Sequence, residues 1–206
     1  MATLPAEAIK AISHGRAIGL LFFAFFAVFW IMNGLPAMSG TGVWFTLGLA
    51  ICITVIIVIA AIYFLRVARH IPGKTTEEGR KYGRKIGRIF GLVFGLEIVL
   101  IFLASIILSS FHLDTLITPV IALIVGLHFL PLSPLFHMPI YYVTGIILAL
   151  LGTVALIVLV IGVSGTSSNF WQIIVSLGAA LTLWGTSFVS IGQGLQMLRE
   201  QATIIA

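Results

Sequence analysis

The sequence predicts an all-α, polytopic membrane bundle of six transmembrane helices with both termini cytoplasmic. Three observations predict it. Only 8% of the chain is charged while 60% is hydrophobic, against about 25% charged residues in a soluble domain. Six apolar runs, near 17–38, 43–68, 86–111, 115–135, 139–163 and 169–198, each reach the roughly 20 residues that cross a ~30 Å hydrocarbon core. The eleven Lys and Arg residues fall on one side once these runs alternate, and the positive-inside rule makes that side cytoplasmic. A surface so poor in charge must face lipid, so residues 1–206 are read as a single six-span membrane domain.

The segment before the first span, "TLPAEAIKAISHGR", offers Thr3 as a helix cap and Pro5 in the first turn, where proline is tolerated. It predicts a short interfacial helix on the cytoplasmic face. Lys10 and Arg16 then precede an apolar run, as in a signal peptide. That run exceeds the roughly 7–15 residues of a signal-peptide core and is read as a true span. Span one weakens at "NGLPAM". Span two is rich in Ile and Val and stops at "RHIPGK", where Pro72 and Gly73 break the helix. Cys52 is the single cysteine, which excludes an intramolecular disulfide.

The third element is the most unusual. "EEGRKYGRKIGRIFGLVFGLE" places glycine at 79, 83, 87, 91 and 95. Thr75 and Glu78 stand at capping-box spacing before it, and no proline intervenes between Thr76 and Pro119. A continuous helix over about 76–110 is expected, ~50 Å long and projecting into the cytoplasm. Glycine costs about 1 kcal/mol per helix position in water. In membranes, close backbone approach offsets that loss, so Gly83, Gly87, Gly91 and Gly95 are read as helix-packing residues. A phosphate-binding loop is excluded, because no G-x-x-x-x-G-K-[ST] is present. Span six carries a matching row, Gly178, Thr182, Thr186, Ser190 and Gly194. The two rows predict that spans three and six lie inside the bundle, with spans two and five facing lipid. Between spans four and five, "GLHFLPLSPLFHMPIYYVTG" holds Pro131, Pro134 and Pro139. It is either a cytoplasmic turn or a re-entrant passage, with Tyr141, Tyr142 and His137 at the interface.

Glu97 lies about nine residues, ~14 Å, inside span three. A carboxylate at such depth costs about 3 kcal/mol and marks a functional candidate. His128 on span four falls in the same layer and is its expected partner. Burial and a cationic imidazole act on the carboxyl in opposite senses. Ser190, Gln193 and Gln196 extend this polar layer, while Asn33 and Trp30 would line an outer vestibule. The expected substrate- or ion-binding set is therefore Glu97, His128, Ser190, Gln193 and Asn33. His14, His128 and His137 all lie toward the cytoplasm, but no C-x-x-C-H, H-E-x-x-H or acidic cluster accompanies them. No metal, cofactor or catalytic residue is predicted, and an enzyme ranks last.

The basic residues Arg66, Arg69, Lys74, Arg80, Lys81, Arg84, Lys85 and Arg88 cluster around the second-to-third connection. They predict contact of the 66–88 cluster with anionic lipid headgroups. Nucleic acid is not expected, because topology already accounts for these charges. A homo-oligomer is a further expectation from the small-residue faces. The stretches 78–97 and 126–145 resemble those of small bacterial six-helix integral membrane proteins grouped as a domain of unknown function. That resemblance implies a bacterial inner membrane and brings no activity or site residue with it. Two functions remain open. One is a small-solute or ion transporter using Glu97. The other is a non-catalytic membrane module that binds a lipid, an apolar ligand or a partner subunit.

Overall fold

A computed structural model describes residues 6–71, 77–162 and 167–205. They form six α-helices: α1 (Ala6–Gly34), α2 (Thr41–His70), α3 (Glu77–Ser110), α4 (Ile117–Phe136), α5 (Ile140–Ile161) and α6 (Ser168–Ile205). Among the described residues there is no strand, and all six helices are long and apolar enough to cross a membrane. The caps expected at Thr3 and Thr75, and the break at Pro72–Gly73, lie outside the described residues.

The expected interfacial helix and first span are one continuous helix, α1. Gly15 does not interrupt it, because the buried stripe runs straight through: Ser13, Ala17 and Leu20 are all fully buried. The span ends as expected, in a short 3-10 turn at Leu35–Ala37 with Pro36 inside it. Gly40, at φ 64°, then turns the chain into α2, a conformation open to glycine at little cost. α3 is continuous over 34 residues, or ~51 Å, close to the expected length. The proline-rich passage is a helix end and a tight turn: Pro131 and Pro134 lie within α4, and α5 starts directly after Pro139. The left-handed His137 closes α4, and the Ser133 hydroxyl donates to the Met138 carbonyl at 3.0 Å.

One expectation about packing is overturned, for α3, and one is qualified, for α5. α3 is the outermost helix: 6% of its apolar window is buried, against 50% for α6 and 39% each for α1 and α4. α5 is not simply a lipid-facing helix; it forms the most extensive helix pair of the molecule with α4. That pair is built on glycines outside the two small-residue rows. A Cβ on Gly145 would sit 2.6 Å from the Gly126 carbonyl oxygen, and one on Gly152 would sit 2.5 Å from that of Pro119. Backbone meets backbone there, which is the small-residue contact that drives helix association in lipid.

α1 and α6 run antiparallel along their length and tie at both ends. At the end carrying Arg66, Arg69, Arg80 and Arg84, here termed the basic end, the Arg16 guanidinium donates to the Ser190 carbonyl at 2.7 Å. At the far end, the Asn33 Oδ1 accepts from Thr118 on α4 and Ser176 on α6, both at 3.1 Å. Gln172 donates to the Asn33 carbonyl at 2.8 Å. The start of α1 and the end of α6 therefore lie on the basic side of the bundle.

Candidate functional site

Glu97 is the buried acid among the described residues, with 7% of its surface exposed. Its burial follows from the face that α3 turns inward. Phe90, Phe94 and Glu97 recur at spacings of four and three, the period that puts residues on one helical face. Phe94 meets Phe22 and Phe26 of α1 at ring-centre distances of 5.6 and 6.1 Å, and Phe90 meets Phe22 at 6.0 Å. These rings hold α3 against α1 while α4 brings His128 alongside. α4 presents Ala122, Gly126, His128, Phe129 and Leu132 inward.

The predicted pair is present. His128 Nδ1 lies 3.3 Å from Glu97 Oε2, and the two side chains are 3% and 8% exposed. The distance is that of an ion-pair contact, but the angles do not make a hydrogen bond, and neither ring nitrogen of His128 has a hydrogen-bond partner. The Val93 carbonyl, one turn before Glu97, also lies near the ring without completing such a bond. Beside the pair is a cavity of about 10 Å³ lined by Phe22, Phe26, Trp30, Glu97, Val125, His128, Phe129 and Leu183. A cavity needs roughly 10–15 Å³ of this kind to hold one water. The site thus combines one carboxylate, one imidazole and four aromatic rings around a space the size of a single small molecule. It can bind a proton, share it between two groups, or hold one small donor.

The remaining predicted residues disperse. Ser190 is buried, but at the basic end, where its carbonyl receives Arg16. Gln193 is exposed; one residue before Gly194, it is turned about 100° off the packed face. Gln196 donates to Glu200 at 2.9 Å, at the exposed end of α6. Asn33, half-buried, uses its side chain in the far-end tie of α1, α4 and α6, away from the Glu97 cavity. Trp30 lines the Glu97 cavity and is 2% exposed, so it belongs to the site proper.

The two small-residue rows have different fates. On α6, a Cβ at Gly178 would meet Leu151 Cδ1 at 2.9 Å, and one at Gly194 would meet Phe64 Cζ at 2.5 Å. Thr186 shares a buried hydrogen bond of 2.6 Å with Thr144 of α5, and Thr182 donates to its own helix at Gly178. On α3, a Cβ at Gly83, Gly87, Gly91 or Gly95 would meet nothing within 4 Å. The expectation that these four pack within the chain is corrected: burying Glu97 and the two phenylalanines turns the glycines outward. Span three is contacted on one side only.

Sequence reasoning missed three features. Gly145 and Gly152, with Gly126 opposite, carry the α4–α5 pair, and "GIILALLG" held the signal as small residues at 145, 149 and 152. The Thr144–Thr186 bond lay half visible, since Thr186 stands in the α6 row and Thr144 stands in no row. Arg16 counts toward topology in the sequence, yet it also reaches α6 and lies in the electrostatic range of Tyr141. No family model matches the chain, and no curated protein or solved structure is found to be similar to it.

Proposed function

We propose that this integral membrane protein handles a proton or one small monovalent cation at the Glu97–His128 pair. The single observation that carries the reading is a buried carboxylate 3.3 Å from a buried imidazole inside a bundle of six apolar helices. A bare carboxylate at that depth costs about 3 kcal/mol, a cost that is rarely borne where the charge has no use. The groups facing Glu97 are His128 on α4, the rings of Phe22, Phe26 and Trp30 on α1, and Leu183 on α6. No second acid adjoins it among them, so titration of the site would be shared between one carboxyl and one imidazole. Transport of a larger solute draws no support, because the cavity of about 10 Å³ holds no more than a water-sized species.

The chain reconstituted in liposomes with an entrapped pH dye tests this reading. An imposed membrane potential should drive proton flux in the wild type, and Glu97→Gln should abolish it while leaving folding intact. Equal flux in both proteins would sink the proposal.

A second reading is a docking module. It is favoured by the open row Gly83, Gly87, Gly91 and Gly95 on the outermost helix. Arg80, Arg84 and Arg88 continue along that outward face, so two copies pairing through parallel α3 helices would set like charges together. The occupant favoured by this charge is a membrane helix with an acidic extension, or anionic headgroups at the 66–88 cluster. The resemblance stated above and the one-sided basic charge support a bacterial inner membrane with cytoplasmic termini. Labelling of cysteines placed at 165–168, in a Cys52→Ala background, should occur only from the periplasmic side.

A further inference from the structure

We infer that the cavity beside Glu97 is a binding site for a single ammonium-type cation, with N–H donors shared between Glu97, His128 and the surrounding aromatic rings. The inference rests on the reading of Glu97–His128 as an ion site and names the ion.

Three constraints select the occupant. The first is size. The cavity of about 10 Å³ accommodates one water-sized species, and an ammonium ion is about the size of a water molecule.

The second is the donor and acceptor balance. Glu97 Oε2 and His128 Nδ1 approach to 3.3 Å without hydrogen-bond geometry. Both are acceptors when the carboxyl is ionised and Nδ1 carries no hydrogen. Two acceptors facing each other away from bulk solvent repel, and a species that donates to both removes the conflict. Both ring nitrogens of His128 are buried without a hydrogen-bond partner, and a buried unpaired polar atom costs roughly 1–3 kcal/mol, so the imidazole beside Glu97 calls for a partner.

The third is ligand chemistry. Metal cations are held by many oxygens, roughly six or more for hard divalent ions, or by rings of carbonyls. This cavity supplies the two oxygens of Glu97, and its other walls are rings and aliphatic groups. Phe22, Phe26, Trp30 and Phe129 line it, and aromatic walls with one carboxylate are the chemistry that recognises ammonium groups. An ammonium ion gives N–H bonds to Glu97 and His128 and its remaining charge to the rings. It also neutralises the carboxylate where a lone charge is most costly.

The test uses the purified full chain in detergent. Thermal midpoints are followed against ammonium chloride, potassium chloride and sodium chloride at matched ionic strength. In parallel, infrared spectroscopy follows the carboxyl band that Glu97→Gln removes. Ammonium should raise the midpoint saturably, potassium and sodium should not, and Glu97→Gln should abolish the difference. Phe26→Leu, which keeps apolar bulk and removes a ring, should weaken ammonium by roughly two- to fivefold. An equal response to potassium would overturn the inference, since the site would then read charge and size alone. A titrating carboxyl band with no ammonium response would also overturn it, while leaving the proton reading of the pair intact. Absence of both signals would overturn the two together.

Discussion

α3 and α6 both carry small residues at every fourth position, and the bundle treats them oppositely. On α6, Gly178 lies against Leu151, Thr186 bonds Thr144, and Gly194 lies under the Phe64 ring. On α3, Gly83, Gly87, Gly91 and Gly95 face outward, and a methyl group added at any of them would find nothing within 4 Å. A period of four defines a stripe but does not say which way the stripe points. Direction is settled by what stands on the rest of the helix. α3 has one face bearing Glu97 beside two phenylalanines, and exposing that carboxylate to lipid costs about 3 kcal/mol. Packing the glycines instead would have to exceed that amount, plus the aromatic contacts with Phe22 and Phe26. α6 carries no such competing group in its membrane portion, so its small row is free to turn inward.

The largest expected effect lies outside both rows, at the α5 glycines that meet α4. Gly152→Leu would drive a side chain into the Pro119 carbonyl and the Leu123 backbone, at 2.5 and 2.7 Å. Backbone cannot rotate away, so the α4–α5 pair should separate, with a loss at the upper end of the ~1–3 kcal/mol typical of overpacking, or beyond it. Thermal unfolding in detergent measures this. Gly194→Leu should cost less, about 1–3 kcal/mol in the same assay, because its neighbour is the edge of the Phe64 ring. Retention of the wild-type midpoint in this variant would break the claim that the α6 row is packed.

Thr186→Val removes the 2.6 Å bond to Thr144 while keeping shape. A loss of about 0.6 kcal/mol is expected, and of no more than ~1.7. The smallest effect belongs to α3: Gly91→Leu should leave the midpoint unchanged or raise it slightly, by up to about 1 kcal/mol from helix propensity. The same variant sharpens the comparison in lipid bilayers. A loss of function there, with stability intact in detergent, would show that the outward row meets a partner.

The helix count, the length of α3 and the meeting of Glu97 with His128 were legible because each follows from one-dimensional quantities. Apolar run length sets the spans, and residue number from the membrane edge sets depth. Depth placed Glu97 and His128 in one layer, and they meet. Rotation about the helix axis was not legible. Gln193 fits the polar layer by its position near the end of α6, yet it points outward. Asn33 sits at the expected end but spends its side chain on Thr118 and Ser176. The closeness of the α4–α5 contact was not legible either, because Gly126 stands in no small-residue row and the small residues at 145, 149 and 152 form no unbroken row. Their proximity is a property of the pair, which neither segment displays alone.

The ties at the two ends of α1 and α6 have a mechanical consequence. Arg16–Ser190 at one end and Asn33–Ser176 at the other make the pair a strut, fixed against sliding and against splaying. α3 is held differently: at its end Ser109 Oγ donates to Asp114 Oδ1 at 2.6 Å, and along its length it leans on α4 and on the rings of Phe22 and Phe26. Its first turns, with Arg80, Lys81 and Arg84, stand exposed as an arm beyond the apolar portion. The least buried helix of the molecule is the one that carries Glu97. A load applied to that arm would tilt α3 about its phenylalanine contacts and draw the carboxylate away from His128, while the strut stays still.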